Sequence, residues 1–437
     1  MVTYKKNDFL GYMSEVQKCK NSISMLNDQW ENIKLQCEIN CPNQSKSLLP
    51  MMTNIQNNFI DLQQKLIDTL VTEALNKMSQ KIISKAQVAI DILIRNLYER
   101  TADVGFLATD DDIRSFVSFK ERSKSDEEYI IKRLQEYVAK YSVYEEIVIL
   151  DKSYKVIANL DQSNEIKGKI LYNETLEKTL YSNESFIETF DESPLQPDKK
   201  KSHIFSRKIF AENSEEVVGI LCLCFRFENE MKQIFKNLST DYDGSVIMIV
   251  DNDNIVIASN DENQVPVGIK VELVENSNSG IVYYRGLAYI AKTVKTQGYQ
   301  DYYGLGWRGH IMIPIHLAFR DKSDLSEIDS EITAGLMNEA DSFSGALNEI
   351  IDKTQEINNT LKRIVYNGQI LSKDDNGNDE YSKLKCILDK IGKIGISTSH
   401  LFRKSVQNLF ATVVSTSLVD AGFTASLCIN IMDRKSL

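Results

Sequence analysis

Proline is scarce in this chain, with six residues in 437, and glycine, with nineteen, is little commoner. Few chain breakers leave room for long helices. The first hundred residues hold one Gly and two Pro, and no Pro follows Pro314. Positive charge is also short: 51 Lys and Arg stand against 62 Asp and Glu, a net charge of −11 with a pI near 5.1. No long basic run appears, which excludes the electrostatic footprint of a nucleic-acid binder or of a protein held to an anionic membrane. No uncharged apolar stretch reaches the roughly 18 residues of a membrane span. The opening MVTYKKNDFLGYMSEVQ lacks the unbroken apolar core of a signal peptide. The seven Cys are an odd number without framework spacing in a long chain. Reduced thiols in a cytoplasm are the expectation.

Catalytic patterns are missing too. No GxxxxGK[ST] phosphate loop is present, and no GxGxxG opens a helical segment. The histidines are His203, His310, His316 and His400. His310 and His316 are six apart, a poor metal spacing on strand or helix. Cys37 and Cys41 lie one helical turn apart; two reduced surface thiols is a simpler reading than a metal or redox pair. His400, in STSHLFRK, has no glycine-rich nucleotide motif downstream that would make it a phosphoacceptor. The expectation is no enzyme, no metal and no cofactor.

What is present is a repeat. Residues 147–161 read IVILDKSYKVIANLD and residues 247–261 read IMIVDNDNIVIASND, with seven of fifteen positions identical at an offset of 100. Each copy is an apolar run, a polar turn and a second apolar run, the pattern of a β-hairpin. The period is too long for a solenoid, so two similar small domains in tandem are expected. After the first hairpin come a helix over about 173–188 and the strand candidates SHIFSRKIF and VVGILCLCF. After the second come strand candidates around SGIVYY, LAYIAKTV and GWRGHIMIP.

Helical pattern flanks these units. One run spans about 4–36, Pro42 and Pro50 bracket a break, and a second run spans about 52–100 with apolar positions three or four apart. EEYIIKRLQEYVAKY, beginning at Glu127, is a further helix. From Leu325 to Ile364 apolar residues recur in threes and fours over about five heptads, with Thr354 the one polar position. Two readings stay open: the packed face of a helix in a bundle within the chain, or a coiled-coil homodimer. The homodimer is preferred, because no Gly or Pro interrupts the seam between Gly345 and Gly368. KDDNGNDE at 373–380 is a turn, and a last helix follows it.

This order resembles the double Cache sensor of bacterial chemoreceptors and related signalling proteins over about residues 50–320. The residues that carry it are the two hairpins, Val218-Gly219-Ile220 opening a closing strand, and YYGLGWRGHIMIPI at 302–315. A narrower resemblance lies in IRNLYERTADVGFLATDDDIRSF at 94–116. It is similar to a phrase of cytoplasmic bacterial Cache proteins of chemotaxis or signalling, in which Arg-Asn-Leu-Tyr-Glu-Arg recurs after the sensor. ASLCINIMDR at 425–434 echoes AQVAIDILIR at 86–95, and the sequence ends after KSL, so a sensor without its output part is expected.

The resemblance implies an α+β fold: two tandem PAS-like antiparallel sheets flanked by long N- and C-terminal helices. The expected division is a helical region over 1–125, Cache units over 126–240 and 241–320, and a helical, coiled-coil-like region over 321–437. The implied function is a cytoplasmic sensor that binds a small molecule and relays the change through its C-terminal helices to a downstream signalling protein. The alternative is a dimerisation or adaptor scaffold that binds no ligand.

In Cache modules the ligand usually sits between the sheet and the segment covering it, here 172–190, and the longer insertion of the first unit favours that unit. Alternation puts His203, Phe205, Arg207 and Ile209 on one side of their strand. Arg207 is the expected anchor for an anionic ligand, since a guanidinium offers two parallel donors. Tyr172 and His203 are its expected neighbours, with Cys224 beneath. A simpler reading is an edge strand whose charges are solvated. The amino-acid-binding subset is resembled only in part. Its Arg-x-Trp element is missing from the first unit, and Cys224 stands about where it places a carboxylate. Tyr283, Tyr284, Tyr289 and Trp307 of the second unit read as core and as packing against the outgoing helix.

Overall fold

The computed structural model describes residues 9–140, 142–238, 244–275, 279–319, 345–371 and 382–408. Helices α1 (Ser14–Asn40) and α2 (Pro42–Ala108) come first, then α3 (Asp111–Ser118) and α4 (Lys124–Lys140). Helix α5 (Glu174–Tyr181) lies within the first sheet region, and α6 (Phe227–Leu238) links the two sheets. Helices α7 (Ile315–Ala318), α8 (Gly345–Leu371) and α9 (382–408) follow the second sheet. Contacts divide the described residues into one unit up to Lys81 and from Ile315 onward, and a second unit within Ile82–Pro314; the boundary falls inside α2.

The first unit is a helical bundle, and Cys37 and Cys41 are buried in it rather than set at its surface. Pro42 is the first residue of α2, where a missing N–H costs little, and Pro50 lies within the helix rather than at the edge of a break, so the interruption is confined to Cys41. Trp30 of α1 packs on Phe59 of α2 at 6.1 Å, and Asn27 donates to Gln63 at 2.9 Å. Lys390 of α9 donates to Gln36 of α1 at 2.7 Å, Lys65 of α2 pairs with Glu349 of α8, and Asn358 of α8 donates to Ser399 of α9. These contacts close α1, α2, α8 and α9 into a ring. Ile350, Thr354, Ile357, Leu361 and Ile364 are buried in it, and Thr354 satisfies its hydroxyl on the Ile350 carbonyl at 2.6 Å. Over this stretch the seam is covered by its own chain. Its 325–344 stretch, the 373–380 turn and the 425–434 echo lie outside the described residues.

The second unit holds two five-stranded antiparallel sheets. The first contains β1 (Tyr144–Asp151), β2 (Val156–Asn159), β3 (Ile187–Asp191), β4 (Ser202–Phe210) and β5 (Val217–Phe225), in the order β2-β1-β5-β4-β3. The second contains β6 (Val246–Val250), β7 (Val256–Ser259), β8 (Gly280–Tyr284), β9 (Leu287–Lys295) and β10 (Arg308–Pro314), in the matching order β7-β6-β10-β9-β8.

The hairpin repeat holds down to register. Ile149 faces Ala158 and Ile249 faces Ala258, with a shift at the same place in each. Asp151 and Asp251 explain their own identity: each carboxylate accepts two turn N–H groups, from Ser153 and Lys155 in one copy and from Asp253 and Ile255 in the other. The expected helix at 173–188 ends early. Asn173 caps its start by accepting from the Leu176 N–H at 2.9 Å, the helix stops at Tyr181, and the chain becomes edge strand β3 from Ile187. Among the described residues no helix is long and apolar enough to cross a membrane.

Candidate functional site

Both sheets are mounted on the last turns of α2, and the phrase singled out at 94–116 supplies the mounting. Just ahead of it, Asp91 accepts from the Thr296 hydroxyl and the Gln297 N–H near the second sheet. Tyr98 packs edge-on against Tyr299 at 5.2 Å and donates to Gln300. The buried Arg100 guanidinium lies 5.6 Å over the Tyr144 ring of the first sheet and pairs with Asp103 at 3.3 Å, while Tyr144 donates to that same carboxylate. Burial holds the Tyr144 phenol well above its ordinary range. Arg114 of α3 donates to the carbonyls of Phe210 and Ala211. Gly309 of β10 is packed so closely that a Cβ there would stand 2.4 Å from the Ala86 carbonyl oxygen.

Each sheet therefore has a helix-facing side and a covered side. On the covered side of the first sheet, Val148, Leu150, Ile204, Ile220, Cys222 and Cys224 form an apolar cluster with Leu176 of α5. Its polar tie is Ser206, whose hydroxyl lies 2.6 Å from that of Thr179 on α5. Burial pushes both the Cys222 and Cys224 thiols upward, so they behave as small apolar groups. Glu146, at the end of this side, accepts from the N–H groups of Ile147, Leu160 and Asp161 and from the amide of Asn164, which fixes the loop after β2.

The four expected site residues do not converge. Ile204 faces Cys224 across the β4–β5 ladder, whereas Arg207 faces Leu221, so Arg207 and Cys224 project from opposite sides of the sheet. Arg207 lies half-buried against Gly105 of α2. His203 is also on the helix-facing side, 1% exposed, among Phe190, Phe205, Phe225, Phe227 and Trp307. Tyr172 is 61% exposed on the outer side of the cover. An anion gripped by Arg207 above Cys224 would have to pass through the sheet.

His203 instead belongs to a junction between the sheets that sequence reasoning missed. Its Nε2 donates to Glu188 of β3 at 2.8 Å, and Tyr302, from the loop before β10, donates to the other oxygen of that carboxylate at 2.6 Å. Burial, reinforced by Glu188, holds the Tyr302 phenol above its ordinary range. Nδ1 of His203 is buried with no hydrogen-bond partner. Glu188 went unseen because its segment reads as a continuation of α5.

A second missed group lies at the cover. Tyr154 of the first hairpin turn has φ +63°, and Tyr172 stands edge-on to it at 5.5 Å. The signal was available in the repeat: the corresponding residue is Asn254, with φ +67°. Among the described residues no group of three or more His, Cys, Asp or Glu is placed to hold a metal ion.

Two PAS-like sheets of identical strand order, each with a matching hairpin, on one shared helix, give this region a double Cache-like architecture. No protein-family model matches the chain, and no curated protein matches it. The chain is similar to the sensor domain of the Vibrio cholerae histidine kinase DctB (8% identity, TM-score 0.41, covering 54% of this chain and 96% of that one). It is similar to the ligand-binding domain of the Campylobacter jejuni chemoreceptor Tlp3 in complex with 4-methylisoleucine (10% identity, TM-score 0.40, 57% and 96%). A third is the ligand-binding domain of the Pseudomonas aeruginosa amino acid chemoreceptor PctC in complex with GABA (11% identity, TM-score 0.39, 54% and 99%).

Proposed function

We propose that this chain is a non-enzymatic signal-transduction sensor. A small molecule binds at the cover of the first sheet, and the change passes through α2 and the C-terminal helices to a downstream signalling protein. The modules over 126–240 and 241–320 are the sensing part and 321–437 is the relay. The observation that carries this reading is the strip of α2 from Asp91 to Asp103. It ties one helix by named polar contacts to both sheets, with Arg114 of α3 adding to the first, and that helix continues into the bundle, so strain in either sheet loads a common element. Tyr172 then belongs to the ligand side, above the filled apolar layer that holds Cys224, while His203 and Arg207 sit on the helix-facing side and transmit. Cytoplasmic placement rests on the buried thiols of Cys19, Cys37, Cys222 and Cys224, which form no disulfide. The homodimer is part of the proposal and rests on the sequence of the seam from Leu325 to Phe343.

The competing reading, a scaffold that binds no ligand, is favoured by the apolar filling beneath both covers. A thermal-shift screen of the full chain against a metabolite library separates the two. A ligand at a hundred times its Kd stabilises the native state by about 2.7 kcal/mol. Such a ligand should also change amide exchange over residues 91–114. A screen without any saturable shift leaves the scaffold reading standing and removes the sensor.

A further inference from the structure

We propose that Tyr154, Tyr172, Tyr181 and Glu177 form a binding site for a small methylated ammonium ion at the outer side of the first sheet's cover. This inference names the ligand class for the sensor reading above and rests on it.

Four observations converge. The first is Tyr154. Left-handed backbone suits Asn or Gly and is a poor place for a bulky side chain. The second repeat obeys that rule with Asn254, and the first breaks it with Tyr154 at φ +63°. A local rule broken in one copy and kept in the other marks this ring, which packs partly on the apolar cluster beneath the cover and partly against Tyr172.

The second is the arrangement of rings. Tyr172 meets Tyr154 edge-on, with an interplanar angle of 83°. Tyr181 stands at the end of α5, on the side of the helix that carries Glu177.

The third is the carboxylate. Glu177 and Tyr181 are one turn apart on α5 and share a side. Glu177 accepts from the Tyr172 hydroxyl, and among the described residues it pairs with no Lys or Arg, whereas Glu174 on the same helix pairs with Lys178 at 3.7 Å.

The fourth is access: Tyr172 and Tyr181 are 61% and 72% exposed, so a ligand reaches the rings without opening the fold. Electron-rich ring faces beside an acid without a basic partner select a cation. They select a weakly hydrated one whose methyl groups pack on the rings, over a metal ion that demands oxygen ligands.

The test titrates choline into the full chain, with the neutral isostere 3,3-dimethyl-1-butanol and sodium chloride at matched ionic strength as references, read by thermal shift. Choline should give a saturable stabilisation at least tenfold tighter than the isostere. Cation–π magnitudes correspond to roughly 2- to 30-fold losses of affinity in Tyr172→Ala, in Glu177→Gln and in Tyr154→Asn, the residue of the second repeat. Tyr172→Phe should retain most of the binding. Tyr172 and Glu177 are surface groups, so both variants should fold, and circular dichroism verifies it; should Tyr172→Ala fail to fold, Glu177→Gln decides. Choline no better than its isostere, or affinity unchanged in the folded variants, overturns the proposal. A library ligand whose shift ignores these substitutions leaves the sensor reading intact and removes only this one. No shift with any compound, choline included, removes both.

Discussion

At the scale of single residues, buried groups decide how this protein answers to pH. His310 is fully buried on the covered side of β10, with Nδ1 2.8 Å from the Thr293 hydroxyl and Nε2 without a partner. Burial pulls it down to about 4 from the ordinary 6.5. Between those values the unfolded chain binds a proton that the folded chain refuses, so stability falls as pH drops through the window, by about 2 kcal/mol at pH 5. Urea unfolding at pH 7 and pH 5 should show the loss, and His310→Asn should flatten it; an unchanged slope in the variant would clear His310 of the effect. The residues of the cover were legible only in part. Alternation showed which side of its own strand each residue takes, so Arg207 and His203 were grouped correctly with each other. What alternation cannot give is register between strands. Pairing Ile204 rather than Arg207 with Cys224 is what separates the expected anchor from its expected floor.

At the scale of elements, the hairpins were legible because apolar alternation, turn chemistry and a second copy all agreed. Strand β3 was not, because Ser182 to Ile187 carries no Pro or Gly to mark the end of α5. Helix α6 escaped notice although its apolar residues Phe227, Met231, Ile234, Phe235 and Leu238 follow helical spacing. The seating of α2 makes a sharp contrast between two glycines. A Cβ at Gly309 would press on the backbone oxygen of Ala86 at 2.4 Å, and neither side can swing away. Gly309→Ala should cost about 1–3 kcal/mol as an overpacked contact. A Cβ at Gly105 would meet only the tip of Arg207, at 2.7 Å. Gly105→Ala should be neutral or stabilising, because Ala is the better helix residue by up to about 1 kcal/mol. Urea midpoints of the two variants check both statements, and equal losses would show that α2 is not seated as described.

At the scale of the whole molecule, the heptad pattern said that a helix has an apolar stripe and could not say whose helices cover it. Over α8 the contacts come from α2 and α9 of the same chain, and Ile350 is fully buried, which gives the carboxylate of Ile350→Asp no exit to water. That variant should lose the helical unit's cooperative unfolding outright, since an unpaired buried charge costs several kcal/mol, and should do so at every protein concentration. Sedimentation equilibrium at tens of micromolar tests the dimer separately. A variant that only splits a dimer, with its helices intact, would return the α8 seam to an interface between chains. The chain contains two Trp, and they fall one to each unit: Trp30 against Phe59 in the bundle, and Trp307 against Phe190 and Phe227 beside the second sheet. Both are buried, so both should emit toward the blue and shift red when released to water. Trp30→Phe leaves an emitter that watches only the sheets, and Trp307→Phe one that watches only the bundle. Each buried indole reports only the unit it lies in, so the two melting curves laid side by side show whether the bundle and the sheets unfold at one temperature or at two.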